Sequence, residues 1–158
     1  MGTEETYQGF LAFSAAATGF SVFHLQGTGQ AESYLATVTE IVGEETVHEL
    51  IAAYRAVADA AETDEAALER GMRKHIMSDP KLGPIARNVI KLWYVATWHQ
   101  LPSEWRETYR ATDKDRTFVV SPEAYGEGLL WPAIGANPSG TKPFGYGIWA
   151  TPPRIETT

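Results

Sequence analysis

The stretch Thr46-Val-His-Glu-Leu-Ile-Ala-Ala-Tyr-Arg-Ala-Val-Ala-Asp-Ala-Ala61 decides the fold class. Its residues Val47, Leu50, Ile51, Tyr54, Val57, Ala58 and Ala61 recur at three- and four-residue steps, which puts them on one face of an α-helix. Thr46 followed by Glu49 reads as a capping box, in which hydroxyl and carboxylate satisfy amide protons that the first turn leaves unpaired.

Working outward, the same period continues on both sides. Upstream, Tyr34, Leu35, Val38, Ile41 and Val42 form a helical stripe that Gly43 ends. Before that, Phe10, Leu11, Ser14, Ala17 and Thr18 form another, of mostly small residues, ending at Gly19. Downstream, Thr63 or Asp64 caps a helix with Leu68, Met72, His75 and Ile76 inward. Its acids (Asp64, Glu65, Glu69) come early and its bases (Arg70, Arg73, Lys74) late, as the helix dipole favours. On that stripe His75 is expected to be a hydrogen-bonded core histidine. Ser78-Asp79-Pro80 breaks the helix, and Pro84 fits the first turn of the next, whose inner face is Ile85, Val89, Leu92, Trp93 and Ala96. Pro102-Ser103 opens a short helical turn through Trp105 and Tyr109, and Thr117-Phe-Val-Val120 reads as a short strand. From Gly126 to Pro153 the periodicity stops, and glycines and prolines separate isolated aromatics. The expectation is a mainly α, single-domain chain over 1–158. Residues 1–112 form a compact helical body of about five or six helices, and residues 113–158 a long irregular arm rich in glycine, proline and aromatics.

The 158 residues can bury a core unaided, and 44% hydrophobic with 21% charged residues is a globular composition. No cysteine is present, which excludes disulfides, thiolate zinc sites, iron–sulfur clusters and cysteine nucleophiles. The net charge of −7 argues against nucleic acid or an anionic membrane surface as the main partner. Residues 1–80 carry 13 acids and four bases, residues 81–158 seven acids and nine bases. All five tryptophans lie in that second, less acidic half, which makes it the candidate contact region. No stretch approaches the roughly 20 apolar residues of a membrane-spanning helix. The start shows neither a basic-then-apolar signal nor a twin arginine, so the expected location is cytoplasmic, with the periplasm as the alternative if a signal is removed or supplied by a partner.

Chemistry-bearing patterns are sparse. His24, His48, His75 and His99 form no i,i+4 pair, and Ala52 stands where a zinc-protease pattern begun by His48-Glu49 needs its second histidine. Gly27-Thr28-Gly29 follows the apolar run Phe20–Leu25 in the layout of a dinucleotide-binding turn. Glu32 occupies the third glycine position, however, and no second strand follows, so a plain turn between helices is the better account. Asp113 and Asp115 lack calcium-loop spacing. No catalytic, cofactor-binding or metal-binding residue is assigned.

Four segments in order carry a resemblance: Phe10-Leu-Ala-Phe-Ser-Ala-Ala-Ala-Thr-Gly19, Ile90-Lys-Leu-Trp-Tyr94, Tyr125-Gly-Glu-Gly-Leu-Leu-Trp131 and Pro143-Phe-Gly-Tyr-Gly-Ile-Trp-Ala-Thr-Pro-Pro153. Together they span nearly the whole chain. It resembles the small subunit of bacterial FAD-dependent sorbitol, fructose and glucose dehydrogenases. The resemblance implies a helical, non-catalytic protein that binds and stabilises a large flavoprotein subunit of the glucose–methanol–choline oxidoreductase class. FAD belongs to that partner rather than to this chain, and a cytochrome subunit is a further partner in such complexes. The expected partner contacts are Trp93, Tyr94, Tyr125, Trp131, Phe144, Tyr146 and Trp149. The competing readings are an arm that wraps its own helices with Trp93 and Trp98 as the receiving surface, a free-standing sugar-binding module, and a metal-dependent enzyme using the scattered histidines.

Overall fold

In the computed structural model, which describes residues 1–137, the chain opens with α1 (Thr3–Thr18) and closes that helix at Gly19, whose φ of 79° is left-handed. A short α2 (Val22–Gly27) follows, capped by the Ser21 hydroxyl, which accepts the His24 amide proton. The apolar run at 20–25 is therefore helical, and Gly27-Thr28-Gly29 is a turn between helices, with the Thr28 hydroxyl donating to the Leu25 carbonyl at 2.6 Å. Next come α3 (Ala31–Val42) and α4 (Glu44–Ala61), separated by Gly43 alone.

That single-residue junction alters the start of α4. Gly43, at φ 89° and ψ 152°, lets the new helix begin at Glu44, so Glu44 and Glu45 occupy the dipole-favoured first turn. Thr46 is consequently inside the helix and buried, and the expected capping box is not formed. Glu49 pairs instead with Lys81 Nζ at 2.8 Å.

Asp64 caps α5 (Glu65–Met72), accepting the amide protons of Ala66 and Ala67. The helix then widens into a π turn, Arg73–Met77, closed by the Ser78 amide donating to the Arg73 carbonyl five residues back. The inserted residue rotates the face that meets the core. Ile76 is fully buried and His75 is exposed, so His75 is not the core histidine that a regular period places there. Asp79 then accepts the Lys81 and Leu82 amide protons, opening α6 (Leu82–Val95) with Pro84 in its first turn.

After α6, Ala96 takes a left-handed conformation (φ 54°) and turns the chain into β1 (Thr97–Trp98). α7 (Ser103–Tyr109) follows, and then β2 (Phe118–Val119) returns antiparallel to β1, with Thr97 opposite Val119 and Trp98 opposite Phe118. Two short helices, α8 (Pro122–Gly126) and α9 (Leu130–Ile134), end the described chain. The architecture is mainly α, with this one two-stranded ribbon among the described residues. The helices outnumber the expected five or six because α2, α8 and α9 are too short for a period to register.

One core draws on α1 (Phe10, Leu11, Phe13), α3 (Tyr34, Val38, Ile41), α4 (Leu50, Ile51) and α6 (Ile85, Val89, Leu92, Trp93). Each such side chain contributes about 1.5–3 kcal/mol on burial. Gly9 lets α1 cross close over α4, since a methyl group there would sit 2.5 Å from Ile51 Cγ2. The core does not stop at residue 112. Ala124 and Leu129 are fully buried in it, so the first part of the expected arm is a strap packed on the helical body.

Candidate functional site

Several contacts hold the strap to the body, three of which build the site. The first is Asp115, a 4%-exposed carboxylate whose Oδ1 accepts from Trp98 Nε1 at 2.9 Å and from the Leu101 amide at 3.0 Å. Its Oδ2 lies 3.8 Å from Arg106 Nε. The second is the β ribbon, extended by the Val120 amide donating to the Ala96 carbonyl. The third is the end of α6, where the Leu129 amide donates to the Trp93 carbonyl at 2.9 Å. There Gly128 lies so close to Tyr94 that a Cβ on it would stand 2.6 Å from the Tyr94 carbonyl oxygen.

The expected contact residues separate into four groups. Trp93 is 1% exposed, with its ring edge-on to Tyr34 at 4.9 Å, so it belongs to the chain's own core and offers no face to a partner. Trp98 is buried likewise. Tyr94 is half-buried, and its hydroxyl donates to the Thr18 carbonyl at 3.2 Å. Tyr125 is exposed and Trp131, like Tyr94, half-buried, and the rings of Tyr125 and Trp131 meet edge-to-face at 5.5 Å. The Trp131 indole donates to the Tyr125 carbonyl at 3.0 Å, which sets the ring's orientation. Phe144, Tyr146 and Trp149 lie outside the described residues.

Beside Trp131 runs an open groove of about 430 Å³ between α2 and α9, walled by Phe23, His24, Gly128, Trp131, Pro132 and Asn137 among others. Phe23, which the sequence singles out only as part of an apolar run, is 88% exposed there. Glu127 also lines the groove, and its charge adds to burial, the larger cause, in pushing the Tyr34 phenol above its ordinary range.

The remaining titratable groups are dispersed. His48 Nε2 lies 3.1 Å from the Thr6 hydroxyl and 3.7 Å from Glu44 Oε1, at the α1–α4 contact. His99 lies beyond α6, its carbonyl accepting from the Asn88 amide group. Among the described residues no three His, Asp or Glu side chains are grouped to hold a metal ion, and no helix is long and apolar enough to cross a membrane.

No protein-family model, curated protein or solved structure matches the chain. The fold itself defines a mainly α-helical protein.

Proposed function

We propose that this chain is the non-catalytic small subunit of an FAD-dependent sugar, polyol or alcohol dehydrogenase, binding and stabilising a large flavoprotein subunit that holds the FAD. One observation carries the reading. Three of the sequence blocks on which the resemblance rests, 10–19, 90–94 and 125–131, are far apart in the chain yet meet in space. Tyr94 donates to the Thr18 carbonyl, and Leu129 donates to the Trp93 carbonyl. The three blocks therefore form one local unit, whose outer part carries Tyr125 and Trp131. Trp131 is oriented by its indole hydrogen bond and Tyr125 packs edge-on against it; such held aromatic rings are the side chains that anchor interfaces, because they bury apolar area at little entropic cost. The proposed contacts include Phe144, Tyr146 and Trp149, which follow in the same pattern of isolated aromatics.

The test is expression of the chain alone and together with a glucose–methanol–choline-type flavoprotein from the same genome; a genome that encodes none refutes the reading outright. The expected result is a complex carrying flavin in the large subunit, and a large subunit that loses stability without this chain. Stoichiometric flavin or dehydrogenase turnover in the lone chain refutes the reading, as does failure of the two chains to associate.

A further inference from the structure

We infer that the outer edge of β2 pairs with an extended, carboxylate-bearing segment of the large subunit; the inference rests on the small-subunit reading above. The register of the ribbon fixes which backbone groups are free for this. Phe118 lies opposite Trp98, and the Val120 amide donates to the Ala96 carbonyl at 2.8 Å. Residues of an antiparallel strand bond to their neighbour alternately, so the N–H and C=O of Val119, between these two, point away from β1. Among the described residues neither group meets a hydrogen-bond partner. Proteins usually blunt such an edge with charged side chains, proline or a covering element. Here both strand residues are apolar and open, Phe118 at 36% exposure and Val119 at 53%.

A pocket beside the strand specifies what the added segment carries. It has a volume of about 440 Å³ between α3 and β2, and Glu40, Ile41, Lys114, Arg116 and Phe118 are among its walls. Ile41 and Phe118 make it partly apolar. The Glu40 carboxylate is already neutralised by Lys114 Nζ at 3.0 Å. Arg116 is left exposed, its guanidinium facing no carboxylate among the described residues. A strand added to an edge gains affinity from main-chain hydrogen bonds and specificity from pockets that take its alternate side chains. Val119 offers one donor and one acceptor, which a polypeptide matches and a phosphate backbone, with acceptors only, does not. A guanidinium pairs best with a carboxylate, whose two oxygens match its fork. The edge also continues into the proposed interface, because α8, which carries Tyr125, opens at Pro122 directly after the strand.

The experiment measures affinity for the flavoprotein with the wild-type chain, Val119→Pro, Arg116→Glu and Lys74→Glu. Each lone variant's oligomeric state and thermal midpoint are taken alongside, and hydrogen exchange at the Val119 amide is followed in the lone wild type and in the complex. Val119→Pro removes an N–H that the β1 ladder does not use, so it is expected to fold, and it should weaken association by about tenfold. Arg116→Glu, at an exposed side chain, should melt like the wild type and bind about tenfold or more weakly. Lys74→Glu makes the same charge change at an exposed position on the π turn and should stay within about twofold. The Val119 amide should exchange more slowly in the complex, a readout that stands even if Val119→Pro does not fold. If the wild type binds and that exchange is unchanged, or Arg116→Glu binds as well as the wild type or no worse than Lys74→Glu, the edge inference is wrong while the small-subunit reading stands. If the wild type itself does not bind, that reading fails and the inference with it. A lone chain that dimerises, and is made monomeric by Arg116→Glu, overturns the inference in favour of a second copy as occupant.

Discussion

Asp115→Ala should be among the most damaging single substitutions outside the helical core. In the wild type one buried oxygen, Oδ1, satisfies both the Trp98 indole and the Leu101 amide. Removing it leaves two donors without partners in a site where the carboxylate is 4% exposed. Each orphaned donor costs about 1–3 kcal/mol. The Arg106 contact adds little, since that guanidinium is 41% exposed and 3.8 Å away. The expected loss is therefore about 3–5 kcal/mol, in the range for breaking a buried charged network. In a chain of this length that lowers the thermal midpoint by roughly 6–20 °C. Asp115→Asn is the diagnostic companion: its carbonyl oxygen still accepts from both donors, so it should cost about 1–2 kcal/mol, the difference between charged and neutral hydrogen bonds. Urea unfolding followed by tryptophan fluorescence measures both, with the slope unchanged if only stability moves. A loss below about 1 kcal/mol for Asp115→Ala, or equal losses for Ala and Asn, refutes the assignment of Asp115 as the strap's hydrogen-bond anchor.

Gly128→Val should strain the junction of strap and α6, because a Cβ there meets the Tyr94 carbonyl at 2.6 Å. A loss of about 1–3 kcal/mol is expected, read as a lower urea midpoint with faster hydrogen exchange at Leu129. On the alkaline side, burial raises the Tyr34 and Tyr54 phenols, Tyr34 with help from Glu127. The folded state then holds these protons more tightly than the unfolded state, so stability is complete below a pH of about 10 and falls as pH rises beyond it. The urea midpoint measured from about pH 8 to 11 should show that fall, and Tyr34→Phe should make it shallower.

The helical character was legible because it rests on local repetition. Val47, Leu50, Ile51 and Val57 recur at helical steps, and all four are buried in α4. Asp64 and Trp105 were readable for the same reason, since a cap and a short turn depend on neighbours in sequence, whereas Phe118-Val119 is a strand only through its pairing with Thr97-Trp98. Even among local features, Thr46 and His75 were misplaced. Gly43 starts α4 two residues before the apparent capping box, and the π turn at Arg73–Met77 rotates His75 outward. Both are small changes of phase, to which a regular period is blind.

The candidate site divides differently. Tyr125 and Trp131 were marked as partner contacts by the resemblance; Tyr125 is exposed and Trp131 half-buried. Trp93 was read both as the inner face of its helix and as a partner contact, and it is core, covered by Tyr34 of α3 and by the strap. Phe23 had no mark beyond a short apolar run, and the structure leaves its ring 88% exposed beside the groove.

The sequence alone, then, determined the composition class, the helical periods and the glycine–proline interruption after them, since each depends on residues within a few positions of one another. Tertiary structure decided which aromatics face inward, how Asp115 fastens residues 113–131 to the body, and where α2 and α9 leave a groove. Those outcomes turn on contacts between residues tens of positions apart, such as Thr18 with Tyr94, whose pairing is fixed only when the whole core closes.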